Sequence, residues 1–79
     1  MFKNKSADGK LNICGKNIAT LRKQMNLSQR ALADQMQLLG VDVTKNAIQQ
    51  IVSGARFVID LELKVFAKFF KTAVDTLLL

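Results

Sequence analysis

The chain of 79 residues is long enough for one small domain and too short for two. Hydrophobic residues make up 49% of it and charged residues 23%, which predicts a packed core rather than a disordered chain. Twelve Lys and Arg against six Asp and Glu give a formal charge of +6. That charge favours a polyanionic partner such as DNA, RNA or an anionic membrane surface.

The residues used by many enzymes and metal sites are missing. There is no histidine, and the single cysteine, Cys14, cannot form an internal disulfide or a cysteine-rich metal site. We therefore predict no enzyme activity, no metal, no cofactor and no small-molecule substrate. No apolar run approaches the ~20 residues of a membrane span, and the N-terminus lacks the apolar stretch of a signal peptide. The expected location is the cytoplasm, with no membrane partner.

Residues 1–11 mix Lys, Asn, Ser, Asp and Gly with little periodicity, and they are predicted to form a flexible basic arm. Two interpretations stay open for this arm: an inert terminus, and an arm that follows a groove of DNA. Residues 12–79 are predicted to form the folded domain.

Apolar residues at helical spacing predict the first helix over residues 13–25. Asn12 is its expected cap, and its apolar side carries Cys14, Ile18, Leu21 and Met25. Cys14 is therefore interpreted as a small core residue.

The second helix is predicted to begin after the cap residue Ser28 and to end at Gly40. Its expected buried face consists of Leu32, Ala33, Met36 and Leu39. Gln29 and Arg30 stand at its start, where free amides and the positive end of the helix dipole attract a phosphate. The alternative is that both side chains simply face water. Residues 41–43 are interpreted as a loop.

The third helix, over residues 45–53, separates an apolar from a polar side. Thr44 is its predicted cap, and Gly54 suits the left-handed residue that ends a helix. The apolar side carries Ala47, Ile48, Ile51 and Val52. The polar side carries Lys45, Asn46, Gln49, Gln50 and Ser53 and no acid, and side-chain amides match the N6/N7 edge of adenine in a major groove. An ordinary solvated helix face is the alternative.

A fourth helix is predicted to begin at the cap Asp60, with Glu62 in its first turn. Its inward face carries Leu63, Phe66, Ala67 and Phe70. A short last helix over residues 74–78 is expected to place Leu77 and Leu78 in the core. The prediction is thus five helices and no sheet.

The order of these elements resembles the lambda repressor/Cro-type (xre-like) helix-turn-helix family of DNA-binding regulators, over roughly residues 14–79. The resemblance lies in the segments LRKQMNLSQRALADQM, TKNAIQQIVSGAR, DLELKVFAKFF and VDTLLL. It implies an all-α, compact five-helix lambda-repressor-like domain. The QLLGVDV connection implies a lengthened turn within its helix-turn-helix.

By this resemblance the third helix lies in the major groove. The implied base-reading residues are Lys45, Asn46 and Gln50, with Gln49 as a lesser candidate. The implied contacts to the DNA backbone are Gln29, Thr44, Ser53, Arg56 and Arg22. Arg30 joins them through its place at the start of the second helix.

Three positions depart from the family pattern. Val52 stands where a glutamate commonly pairs with the arginine matching Arg22, so Arg22 is expected to bind a phosphate or water instead. Lys71 replaces a usual glycine after the fourth helix, and Ala73 replaces a capping Ser or Thr. The last helix is therefore expected to be frayed or arranged differently.

The leading hypothesis is a sequence-specific transcriptional regulator, a repressor, that binds double-stranded DNA as a homodimer on a near-palindrome. Apolar residues available for dimerisation are Phe57, Val58, Leu77, Leu78 and Leu79, with Phe57 and Leu79 left open between core and interface. The alternative is an antitoxin-like or anti-repressor module on the same fold. Such a module would bind a protein partner tightly and DNA weakly, without regard to sequence.

Overall fold

The computed structural model describes residues 8–79, and in that range the chain forms five α-helices and no strand. The helices are α1 (Gly15–Gln24), α2 (Gln29–Leu38), α3 (Lys45–Ser53), α4 (Asp60–Phe70) and α5 (Val74–Leu77). The radius of gyration is 11.9 Å, as expected for a folded chain of this length. The prediction of a compact all-α domain is confirmed. Residues 1–7, most of the predicted arm, lie outside the described residues.

Two predicted hydroxyl caps begin α2 and α3. The Ser28 hydroxyl accepts a hydrogen bond from the backbone N–H of Ala31 at 3.0 Å. The Thr44 hydroxyl accepts one from Ala47 at 3.1 Å. Each cap satisfies an amide of the first turn that has no partner within its own helix.

The prediction that Asp60 caps α4 is wrong. Ile59 occupies the cap position, and Asp60 is the first helical residue. The backbone N–H of Ile59 donates to the Glu62 carboxylate at 3.2 Å. A carboxylate at the third helical position thus reaches back to the cap residue, which is the glutamate half of a capping box.

Helices α1 to α4 all end in the same hydrogen-bonded turn. In each turn a left-handed residue, one or two positions after the helix, donates its N–H to the carbonyl three residues back. The N–H of the following residue donates to the carbonyl five residues back. This is the Schellman motif. The left-handed residues are Asn26, Gly40, Gly54 and Lys71, with φ of 57°, 92°, 82° and 55°. Glycine and asparagine accept this conformation readily, whereas lysine does not.

Replacing Lys71 by glycine is expected to raise the free energy of unfolding by about 1 kcal/mol. A left-handed residue with a Cβ costs roughly 1–2 kcal/mol, and glycine gives back part of that as backbone entropy. The thermal midpoint should rise by about 4–8 °C for a domain of this size. Lys71→Ala is the control, because it removes the same charge but keeps the Cβ. Equal stabilisation by alanine would show that charge, not backbone conformation, limits stability at this position.

The core lies between the apolar sides of all five helices. Side chains with no exposed surface are Ile18, Leu32, Met36, Val43, Ile48, Ile51, Phe66 and Leu77. Leu77 is buried as predicted, so α5 packs on the domain although Ala73 supplies no side-chain cap. Cys14 is also buried, and burial raises the pKa of its thiol.

Three residues predicted to be buried are exposed instead. Met25 is 48%, Leu39 41% and Leu78 39% exposed. Each is the cap residue directly after a helix, of α1, α2 and α5 respectively. There the backbone leaves the helical path, so the 3.6-residue period no longer decides which way the side chain points.

Candidate nucleic-acid interface

The polar side of α3 is open to solvent along its whole length. Its exposed residues are Lys45, Asn46, Gln49, Gln50 and Ser53. On the opposite side Ile48 and Ile51 have no exposed surface, and Val43 is fully buried just before the helix. These apolar anchors fix which side of α3 faces outward.

The amides on this side are unoccupied. Within residues 8–79, no hydrogen bond or ion pair involves the side chains of Lys45, Asn46, Gln49 or Gln50. The Ser53 hydroxyl donates to the Gln50 backbone carbonyl at 3.1 Å. All donors and acceptors of the three amides therefore remain available to a ligand.

The predicted phosphate contacts of α2 and α3 stand at the beginnings of these helices. Arg30 is exposed and Gln29 is half-buried, directly after the cap Ser28. Thr44 is exposed, and its hydroxyl is used as the α3 cap. Helices α2 and α3 pack against each other, so these residues and the polar side of α3 belong to one packed unit.

The connection between α2 and α3, residues 39–44, is also ordered by hydrogen bonds. The Gln37 amide donates to the Val43 carbonyl at 2.9 Å, and the Val41 N–H donates to the Met36 carbonyl at 3.0 Å. These bonds tie both ends of the predicted loop, residues 41–43, to the end of α2, and left-handed Gly40 directly precedes that loop.

Arg22 has a partner that the sequence analysis did not foresee. Its Nη1 donates to the Leu27 carbonyl oxygen in the α1–α2 turn at 2.6 Å. The partner of Nη1 is therefore a backbone carbonyl, and not the phosphate or water that was expected in place of the missing glutamate. Its Nε is buried without a hydrogen-bond partner among the described residues. Arg22 is half-buried, which limits what it can offer to a ligand.

Arg56 is engaged by Glu62 rather than left free for DNA. Its Nη1 and Nη2 donate to the two carboxylate oxygens at 2.9 and 2.7 Å, and Nη1 also reaches the Phe57 carbonyl. The Glu62 side chain is 7% exposed and that of Arg56 30%. Hydrogen bonds from Arg56 hold the pKa of the Glu62 carboxyl below its ordinary value, and the same pair raises the pKa of Arg56. Arg56 thus has a structural role that its place after α3 did not reveal.

A short segment before α1, residues 10–12, lies across the C-terminal end of α3, and we call it the brace. The Lys10 ammonium donates to the Ser53 carbonyl at 3.0 Å, and the Leu11 N–H donates to the Gly54 carbonyl at 2.8 Å. The last residues of the predicted arm are therefore bound to the domain.

Asn12 makes more hydrogen bonds than the other two residues of the brace. Its Nδ2 donates to the carbonyls of Ile51 and Arg56 at 3.0 and 2.7 Å, while its Oδ1 accepts from the Gly15 N–H at 2.7 Å. Cys14 and not Asn12 occupies the cap position of α1, so the predicted position of the cap is wrong. The Asn12 side chain nevertheless satisfies the first N–H of α1 and also bridges to α3. Its partners are 39 and 44 residues away, so no local pattern could have revealed it.

Gly15, the first residue of α1, permits this close approach. It is buried, and a Cβ placed on it would overlap the Ile51 carbonyl oxygen. Since that oxygen belongs to the α3 backbone, it cannot rotate away. Gly15 was not singled out in the sequence analysis, because nothing in its neighbours indicates contact with a second backbone.

Other kinds of site find no support in the part of the chain that the structure describes. No group of His, Cys, Asp and Glu is placed to hold a metal ion within residues 8–79. None of the helices in this range has the length and apolarity needed to cross a bilayer. Burial and a raised pKa keep the Cys14 thiol protonated, so it is no candidate nucleophile.

Comparison of the chain with protein-family models, with characterised proteins and with solved structures finds no match.

Proposed function

We propose that the protein is a sequence-specific DNA-binding regulator of the lambda repressor/Cro-type helix-turn-helix class. In this proposal α2 and α3 form the helix-turn-helix, and α3 enters the major groove. The observation that carries it is the polar side of α3, which is exposed, free of acids and unoccupied, over fully buried anchors. An acid-free face with three side-chain amides suits the edges of bases, which offer matching donors and acceptors, and it places no negative charge against phosphates.

Phosphates would be contacted at the helix ends. Arg30 and Gln29 stand at the start of α2, where free amides add to the attraction for an anion. Thr44 stands at the start of α3. These contacts would set the register of the protein on the duplex, and bases would be read by Lys45, Asn46 and Gln50, with Gln49 as a lesser candidate. Because Arg56 is paired with Glu62, the proposal no longer depends on it for DNA contact.

Replacing Asn46 or Gln50 by alanine is expected to weaken binding to a preferred duplex by about 1–3 kcal/mol, which is roughly 5- to 150-fold. Binding to random duplex should change little, because phosphate contacts supply non-specific affinity. Fluorescence anisotropy at fixed salt measures both. Gln24→Ala is the matched control, since Gln24 is an exposed amide on α1. Equal losses on preferred and random duplexes would show that α3 does not read bases.

The proposed family arrangement also predicts a gain of stability from Val52→Glu. Family members commonly carry a glutamate there that pairs with the arginine matching Arg22, and here the Arg22 Nε is buried without an acceptor. Because α1 packs on α3, a carboxylate at position 52 should supply that acceptor and add about 1 kcal/mol, as measured by urea denaturation. The gain should vanish in an Arg22→Met background. A loss in both backgrounds would contradict the family arrangement of α1 against α3.

An antitoxin-like or anti-repressor module on the same fold is the second candidate. It is favoured by a row of exposed apolar side chains after α3, Phe57, Ile59 and Leu61, with exposures of 50%, 56% and 66%. Under the leading proposal this row is available to a second copy of the chain on a palindrome. Under the alternative these apolar side chains bind another protein, and DNA binding is weak, salt-sensitive and independent of sequence.

A further inference from the structure

We propose that Asn12, through the brace, sets the orientation of α3 and is a positioning residue for base readout. This inference rests on the proposed function for its consequence on DNA. Its structural half, that Asn12 fixes α3 against α1, stands on the contacts of residues 10–12 alone.

Several hydrogen bonds converge on the C-terminal end of α3. The brace supplies donors to the carbonyls of Ile51, Ser53, Gly54 and Arg56. The last carbonyls of a helix have no intrahelical donors and are usually satisfied by water or by the closing turn. Here the Ser53 carbonyl accepts from the brace, and the Ile51 carbonyl accepts both from the brace and from the Gly54 N–H of the closing turn. This end of α3 is thereby tied to the start of α1.

The next step is the geometry of Asn12. Its amide donates to the Ile51 carbonyl in the last turn of α3 and to the Arg56 carbonyl three residues after that helix, and it accepts from the first N–H of α1. Gly15 removes the Cβ that would keep the two backbones apart. One planar side chain therefore joins the beginning of α1 to the end of α3, and a tilt of one helix against the other strains these bonds.

The last step is the size of the effect. Helix α3 has nine residues, and at ~1.5 Å per residue a tilt of about 10° moves one end by about 2 Å relative to the other. Binding constellations tolerate only about 0.5 Å of displacement. A tilt of this size about the start of α3 would move Gln50, five residues along the helix, by about 1 Å from its base edge, whereas Asn46 and the phosphate contacts at that start would move little.

The chain contains a matched control for this role. Asn17 lies on α1 and its amide also donates to two backbone carbonyls, those of Leu77 and Leu79, at 2.8 and 3.1 Å. It ties α1 to the C-terminal segment and not to α3. Asn17→Asp therefore replaces the same two donors with an acceptor at a place that does not control α3.

The test compares Asn12→Asp with Asn17→Asp, at a temperature at which circular dichroism shows both variants folded. Residual dipolar couplings give the direction of α3 relative to α1 in the free proteins. Anisotropy gives the ratio of affinities for a selected duplex and a random duplex. We expect Asn12→Asp to reorient α3 and to lower the ratio at least about tenfold, and Asn17→Asp to do neither. If Asn12→Asp does not fold, Asn12→Ser removes the donors without adding a charge and is measured instead.

An unchanged α3 direction in the Asn12 variant would overturn the inference, and so would equal losses of the affinity ratio in both variants. If the unmodified protein selects no duplex, the proposed function fails. The dipolar couplings still decide in that case whether Asn12 positions α3, so the two failures are distinguishable.

Discussion

Replacing Gly15 by alanine is expected to lower the free energy of unfolding by about 3 kcal/mol, at the upper end of the range for overpacking a core. The added methyl would overlap the Ile51 carbonyl oxygen, which is part of the α3 backbone and is held there by Asn12. Relief would require α1 and α3 to move apart, which would weaken the brace as well. A domain of this length has a stability of about 4–12 kcal/mol, so this one methyl removes a large share of it.

The sign of this effect is informative, because Gly→Ala in an ordinary helix is favourable by about 1 kcal/mol. Lys16→Ala, at the next and exposed position of α1, is the control and should be nearly neutral. Denaturation in urea measures both. A neutral or stabilising Gly15→Ala would show that the backbones of α1 and α3 do not approach each other closely at Gly15 and Ile51.

Replacing Arg56 by methionine is the second change with a large expected effect, a loss of about 3 kcal/mol. Glu62 is 5% exposed, and without Arg56 its carboxylate would remain buried with one backbone donor, that of Ile59. Breaking a buried pair from one side costs about 3–5 kcal/mol. The lower end applies here, because the Arg56 side chain is 30% exposed.

Low pH should remove the stabilisation that the Arg56–Glu62 ion pair provides. Arg56 lowers the pKa of Glu62 in the folded protein, so the pair's stabilisation is fully present above the unfolded value of about 4.3. It is lost as the pH falls through the lower folded pKa. The stability difference between the unmodified protein and Glu62→Gln should therefore shrink below about pH 4. A difference that stays constant from pH 7 to pH 3 would show that the Glu62 charge contributes nothing.

The local features of the fold were predictable from the sequence, because each depends on a few neighbouring residues. A hydroxyl before an apolar stripe indicated the caps Ser28 and Thr44, and both form. Glycine after the stripe indicated where α2 and α3 end, and the left-handed conformation predicted for Gly54 is confirmed. The exposed polar side of α3 followed from the same periodicity.

Periodicity was misleading where a helix stops. Met25, Leu39 and Leu78 continue the apolar stripes of their helices in sequence, but each is a terminal residue, and the turn carries its side chain outward. The cap of α4 was misplaced for a related reason. Asp60 is a good capping residue type, but Glu62 two positions later reaches back to Ile59 instead.

The contacts that hold α3 in place could not be predicted, because they join residues far apart in the chain. The partners of Asn12 are 39 and 44 residues away, and Gly15 matters only because the α3 backbone passes over it. Arg56 and Glu62 are near in sequence, but a basic residue after α3 is equally typical of a phosphate contact. Only the geometry of the folded chain assigns Arg56 to Glu62.

Selection of bound sites from random duplexes at near-physiological salt tests whether α3 reads bases. We expect enrichment of one sequence, a near-palindrome with adenines opposite the amides of α3. We also expect an Asn46→Ala/Gln50→Ala variant to lose the enrichment at those positions while it still retains DNA. Recovery of unbiased duplexes by the unmodified protein, or the same enriched sequence with that variant, would contradict base readout by α3.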